Sequence, residues 1–267
     1  MDQPVGAIEG LLRRDRTVAV VALATLTLLA WVVTFHTARS MAAMSPTASA
    51  MGRAMTMPTS ASWEPTQLMG LFAMWVVMMV AMMLPSAAPV VILFLGVLRR
   101  RHGSRLPLVP TAAFLGGYLV VWAGFSLLAT VAQWGLHRAA LLSADTMRAT
   151  PVVAGLLLLV AGAFQWTPAK RTCLSHCRSP FHFFATEWRE GPRGALVMGL
   201  RHGGWCVGCC WLLMSLLFVA GVMNLAWVAV LAVVVLLEKV TPAGPLLGRA
   251  VGVLLGLWGV WLAAAGG

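Results

Sequence analysis

The sequence predicts an all-α fold, a polytopic bundle of about seven transmembrane helices with the N-terminus inside. Three observations carry that reading. Hydrophobic residues make up 60% of the 267-residue chain and charged residues only 10%, with a mean hydropathy of +0.86. A soluble domain is about a quarter charged, so composition argues against a soluble enzyme or a disordered chain. The 19 Lys and Arg against 8 Asp and Glu fall in short clusters between long apolar runs. This pattern orients a membrane protein rather than binding nucleic acid.

The apolar runs cover residues 17–35, 67–98, 108–133, 151–168, 195–221, 223–240 and 247–265. A bilayer core about 30 Å thick needs roughly 20 helical residues. Arg13, Arg14 and Arg16 precede the first run, which lacks a small-residue cleavage site and reads as a signal anchor. The second run is long and contains Pro85 and Pro89, so it is expected to kink or break. The sixth is joined to the fifth through Gly221–Asn224, which predicts a tight antiparallel hairpin. With the N-terminus inside, fourteen basic residues lie on inner segments and four on outer ones. That bias predicts a protein of the cytoplasmic (inner) membrane with an external C-terminus.

The organisation follows from these runs. Residues 1–36 form a tail and first helix, 37–66 an external Met-rich loop, and 67–267 a six-helix core. The loop contains Met41, Met44, Met51, Met55 and Met57, with His36 at its start. Thioethers need no deprotonation to bind Cu(I), so the loop is either a copper collector or a plain Ala/Ser/Met linker.

The fifth run carries the densest chemistry. At 100° per residue, His202, Cys206, Cys209 and Cys210 fall within an arc of about 100°, and Met198 extends it by one turn. Thiolate and thioether ligands select Cu(I), with Zn(II) as the lesser candidate. The competing explanation is packing, because Cys is also a small hydrophobe. Counted from Ala195, Cys206 lies about 16 Å and Cys210 about 22 Å into the span, near the midplane. The second run offers Met78, Met79, Met82 and Met83 at similar depth. These spread over too wide an arc to face one ion together, and flexible core filling is the alternative.

Cys173 and Cys177 are spaced i, i+4 in the inner segment 169–194, near His176 and His182. A reducing cytoplasm favours metal ligation there over a structural disulfide. The segment is expected to form a second, peripheral site unless it re-enters the membrane. Arg201 and Glu238 are charges within the fifth and sixth runs. They are expected to pair across the hairpin, while Lys239 snorkels to the inner interface.

The stretches WVVMMVAMMLPSAAP (75–89), CLSHCRSP (173–180), GLRHGGWCVGCCWLLM (199–214), GVMNLAW (221–227) and LLEK (236–239) resemble the predicted metal-binding integral membrane proteins catalogued as domain of unknown function 2182. The resemblance implies metal binding and copper handling. It carries a role to Met78, Met79, Met82, Met83, Cys173, Cys177, His202, Cys206, Cys209, Cys210 and Glu238.

The expected function is binding and transfer of a soft metal, Cu(I) before Zn(II). Its partners would be the lipid bilayer and a copper chaperone or metalloprotein, with no nucleic acid. No G-x-x-x-x-G-K-[ST] occurs, so the chain carries no P-loop for ATP-driven pumping. The alternative is a membrane thiol-redox enzyme or metal-dependent oxidoreductase cycling Cys206 and Cys209, which form a C-x-x-C pair.

Overall fold

The computed structural model describes residues 16–40, 64–102, 108–142 and 148–265. The Met-rich stretch 41–63 lies outside them, so the expected collector role of Met41, Met44, Met51, Met55 and Met57 falls beyond the described residues. Ordered along the chain are α1 (Arg16–Ser40), α2 (Pro65–His102), α3 (Leu108–Arg138), α4 (Pro151–Phe164) and α5 (Pro168–Arg178). They are followed by α6 (Pro180–Glu187), α7 (Gly191–Ser215), α8 (Leu217–Ala220), α9 (Leu225–Val240) and α10 (Gly244–Ala265). The all-α bundle predicted from the sequence is what forms; among the described residues the only strand-like pairing is an isolated bridge between Leu142 and Ala149.

Among the described residues, five helices, α1, α2, α3, α7 running on into α8, and α10, are long and apolar enough to cross a membrane. A sixth candidate arises if α4 and α5, bent by 67°, count as one broken span. The sixth apolar run forms α9, whose 16 residues extend only about 24 Å. The structure therefore offers fewer full-length spans than the seven apolar runs suggested. The reason is that two of those runs form helices too short to cross unaided.

Local chemistry explains the breaks. The α4–α5 bend follows from Pro168, which favours the first turn of a new helix. Thr167 caps that helix, its Oγ1 accepting from Lys170 N at 3.2 Å and donating to Phe164 O at 2.8 Å. In contrast, α2 runs continuously through Pro85 and Pro89. The missing amides leave the Ala81 and Pro85 carbonyls without their helical donors, and nearby Ser86 Oγ donates to Met83 O at 2.8 Å. The predicted turn after α8 is present, with Gly221 at φ 94°, a conformation that favours glycine. Asn224 then caps α9, its Oδ1 accepting from Trp227 N at 3.2 Å.

Helices α3 and α7 approach closely because glycines line their seam. A Cβ on Gly199 would collide with the Phe114 carbonyl, and one on Gly117 with the Leu196 carbonyl. Helices α4 and α10 meet the same way, the Gly162 Cβ position lying 2.8 Å from Gly252 O. Small residues at helix interfaces let backbones pack where apolar surroundings give no hydrophobic drive between helices.

The buried charges differ from expectation, and the Arg201–Glu238 pairing is corrected. Arg201 Nη1 donates to Glu187 Oε2 at 2.7 Å on an accessible surface, because α6 folds back beside α7. Glu238 Oε2 accepts instead from Lys170 Nζ at 2.7 Å, with both side chains almost fully buried. Lys170 arrives on α5, which packs beneath the short α9. From the same helix, Arg178 donates to the carbonyls of Glu238 (3.2 Å), Thr241 (2.6 Å) and Pro242 (3.2 Å), satisfying the α9 C-terminus.

Breaking the buried pair with Lys170→Met should cost about 3–5 kcal/mol, seen as a large fall in thermal stability in detergent. Arg201→Gln, at the exposed pair, should cost under about 1 kcal/mol. At the α3–α7 seam, Gly199→Ala should destabilise by about 1–3 kcal/mol through overpacking. Gly204→Ala is the control, since nothing lies within 4 Å of its Cβ position, and its melting temperature should not fall.

Candidate metal centre

The α7 stripe predicted from the helical period is present and faces inward. Cys206, Cys209 and Cys210 are each 1% exposed, and His202 3%. Within the helix, the Cys209 and Cys210 thiols donate to Cys206 O at 3.1 and 2.9 Å. These bonds turn both sulfurs back along α7 toward Cys206.

Four other helices close on this stripe. From α5, Cys177 Sγ stands 4.0 Å from Cys209 Sγ. Cys177 is therefore part of the central cluster rather than a separate rim site, because the α4–α5 bend lays α5 against α7. From α9, Lys239 Nζ donates to Cys206 Sγ at 2.9 Å and to Ser86 Oγ of α2 at 3.1 Å. Lys239 therefore does not snorkel to the interface; its ammonium turns inward to the sulfur. From α3, Tyr118 donates to Met83 O at 3.2 Å, and its oxygen lies 3.1 Å from Cys206 Sγ.

Met78, Met79, Met82 and Met83 are all at most 1% exposed and belong to the same buried cluster as Cys177, Cys206, Cys209 and Cys210. Because α2 is central to the bundle, both sides of its Met arc are covered, as their wide angular spread required. Cys173 is half-buried at the α5–α7 seam. Its Sγ stands 3.0 Å from where a Gly208 Cβ would be, so only glycine at 208 admits it without displacement. His202 packs among rings, with centroids 5.6 Å from Phe183, 5.9 Å from Tyr118 and 6.1 Å from Phe114. Its Nδ1 has no hydrogen-bond partner among the described residues.

The donor set suits a soft ion of low coordination number. Two thiolates sharing one metal at about 2.3 Å each stand roughly 3.8–4.6 Å apart, and the 4.0 Å separation of Cys177 and Cys209 lies in that range. Among the described residues, no group of three or more His, Cys, Asp or Glu is arranged to hold a metal ion. The preformed element is thus a sulfur pair inside a thiol and thioether cluster, not a closed three- or four-ligand cage.

Tyr118 and Ser86 carried no expected role in the sequence, and Lys239 was expected at the interface rather than on the sulfur. Tyr118 is the single tyrosine of the chain and sits inside an apolar run, which was an available signal. Ser86 lies between the two prolines. Nothing in the local pattern around Lys239 distinguishes an inward from an outward ammonium.

A family model described as a copper chaperone, PpoB2, matches residues 71–262. No match was found among curated proteins or among solved structures. The matched region contains every cysteine and the helices that bring Cys177, Cys206, Cys209 and Cys210 together. The chain belongs to the PpoB2 copper chaperone family.

Proposed function

We propose that this chain is an integral membrane copper chaperone that binds Cu(I) within its helical bundle and passes it to a chaperone or metalloprotein partner. The observation that carries the reading is the meeting of Cys177 with Cys206, Cys209 and Cys210 in one buried, Met-rich cluster. Soft ligands in low number favour Cu(I) over harder or higher-coordinate ions. Cys177 and Cys209 are the first pair to share the ion. Cys206 and Cys210 lie on the same face for exchange, and Met78, Met79, Met82 and Met83 supply thioethers around it. His202 and Cys173 flank the cluster and serve as relay ligands.

Transfer in this scheme is ligand exchange. A Cu(I) ion moves between sulfur pairs as one Cu–S bond forms while another lengthens, with no change in oxidation state. The exposed apolar faces of α1 and α10, including Leu28, Val32, Leu254, Leu257 and Trp261, suit contact with acyl chains. The basic residues between helices favour an inner-membrane protein with its N-terminus in the cytoplasm.

Purified protein loaded with Cu(I) under reducing conditions should retain about one ion per chain by elemental analysis. Cys206→Ser combined with Cys209→Ser should remove that retention, and Cys177→Ser alone should weaken it by roughly 10-fold or more. Full retention by the double variant would overturn the site. A Cys206–Cys209 disulfide formed under mild oxidant, with no metal retained, would support the thiol-redox alternative instead. For orientation, Ser104→Cys in a background with native thiols blocked should react with an impermeant reagent only from the cytoplasmic side.

A further inference from the structure

We propose that Lys239 is a specificity-determining residue of the sulfur site, a fixed counter-charge that matches it to a monovalent metal ion. This rests on the copper reading above and adds to it the reason for one charge state of the ion.

The residues around Lys239 leave its charge directed at sulfur. Its neighbour Glu238 is committed to Lys170 at 2.7 Å. Among the described residues, no carboxylate forms an ion pair with Lys239. Its ammonium instead contacts Cys206 Sγ at 2.9 Å and is steadied by Ser86 Oγ at 3.1 Å. An ammonium has three donors and no acceptor, so Lys239 cannot itself bind the metal. Ser86 sits in the proline-containing stretch of α2, which is anchored to α3 by the Tyr118 bond to Met83 O. The ammonium is therefore held by elements outside α9.

Charge counting then separates ions. A cation of charge +1 held by two thiolates forms a unit of charge −1, and the adjacent ammonium brings the total to zero. A divalent cation on the same two thiolates would leave the site at +1, and would need a third thiolate, from Cys206 or Cys210, to reach neutrality. In a buried, low-dielectric setting an uncompensated unit charge is strongly disfavoured. The ammonium also donates to Cys206, so that sulfur is less available as the third or fourth ligand a divalent zinc ion requires. Both effects act in the same direction, toward Cu(I) and against Zn(II).

The test compares full-length protein in detergent as wild type, Lys239→Met and Lys239→Arg. Cu(I) and Zn(II) affinities are each measured by competition with a chromophoric chelator specific for that ion. Lys239→Met, which keeps the length and removes the charge, should lower Cu(I) affinity by about 10-fold or more while Zn(II) affinity stays constant or rises. Lys239→Arg should restore most of the wild-type preference. Unchanged Cu(I) affinity in Lys239→Met, or parallel loss of both ions, would overturn the assignment and leave Lys239 a structural residue. Should Lys239→Met not fold, Ser86→Ala decides: a smaller shift in the same direction supports the proposal, and an unchanged preference overturns it. Wild-type protein that binds no Cu(I) would overturn the copper reading itself, which distinguishes the two failures.

Discussion

The last turn of α9 is the constraint on which the rest of the site depends. Glu238 and Lys239 are adjacent, so a helix aims them about 100° apart. One reaches Lys170 on α5 and the other Cys206 on α7. Opposite charges on one turn thereby tie together two elements that α9 alone would not hold. Buried charge is tolerated only when paired and hydrogen-bonded, so the positions of α5 and α7 around α9 are narrowly limited. Moving either helix would strand a charge in an apolar interior.

The broken span α4–α5 is the second element of the design. An unbroken continuation of α4 would carry Cys173 and Cys177 away from α7. The Gln165–Pro168 segment redirects the chain by 67°, and α5 fills the space beneath the short α9. In that position Arg178 satisfies the carbonyls at the end of α9, Lys170 neutralises Glu238, and Cys177 reaches Cys209. Helix capping, charge compensation and sulfur delivery all come from one eleven-residue helix.

The glycine seam between α3 and α7 makes the third contribution. Tyr118 follows Gly117, whose Cβ position is filled by the α7 backbone. That close approach brings the tyrosine hydroxyl within 3.1 Å of Cys206 Sγ. Were the helices held apart by ordinary side chains, the hydroxyl would not span the gap. The same approach encloses His202 with Phe114, Tyr118 and Phe183, so the sulfur cluster has an aromatic floor on one side.

Composition and periodicity by themselves determined the helical class, the inward stripe of His202, Cys206, Cys209 and Cys210, and the soft-donor character of those side chains. They could do so because a 3.6-residue repeat places side chains on a face whatever surrounds the helix. The turn at Gly221–Asn224 was legible for a similar local reason. Only the tertiary structure decided the partners of the charges and the place of Cys177. Arg201, Lys170 and Lys239 were each free, as far as sequence goes, to face solvent or a buried anion. The choice came from which helices pack together, and that depended on a bend at Pro168 and on backbone contact at Gly117 and Gly199. Pairing across helices is a property of distance in space, which spacing along the chain does not encode.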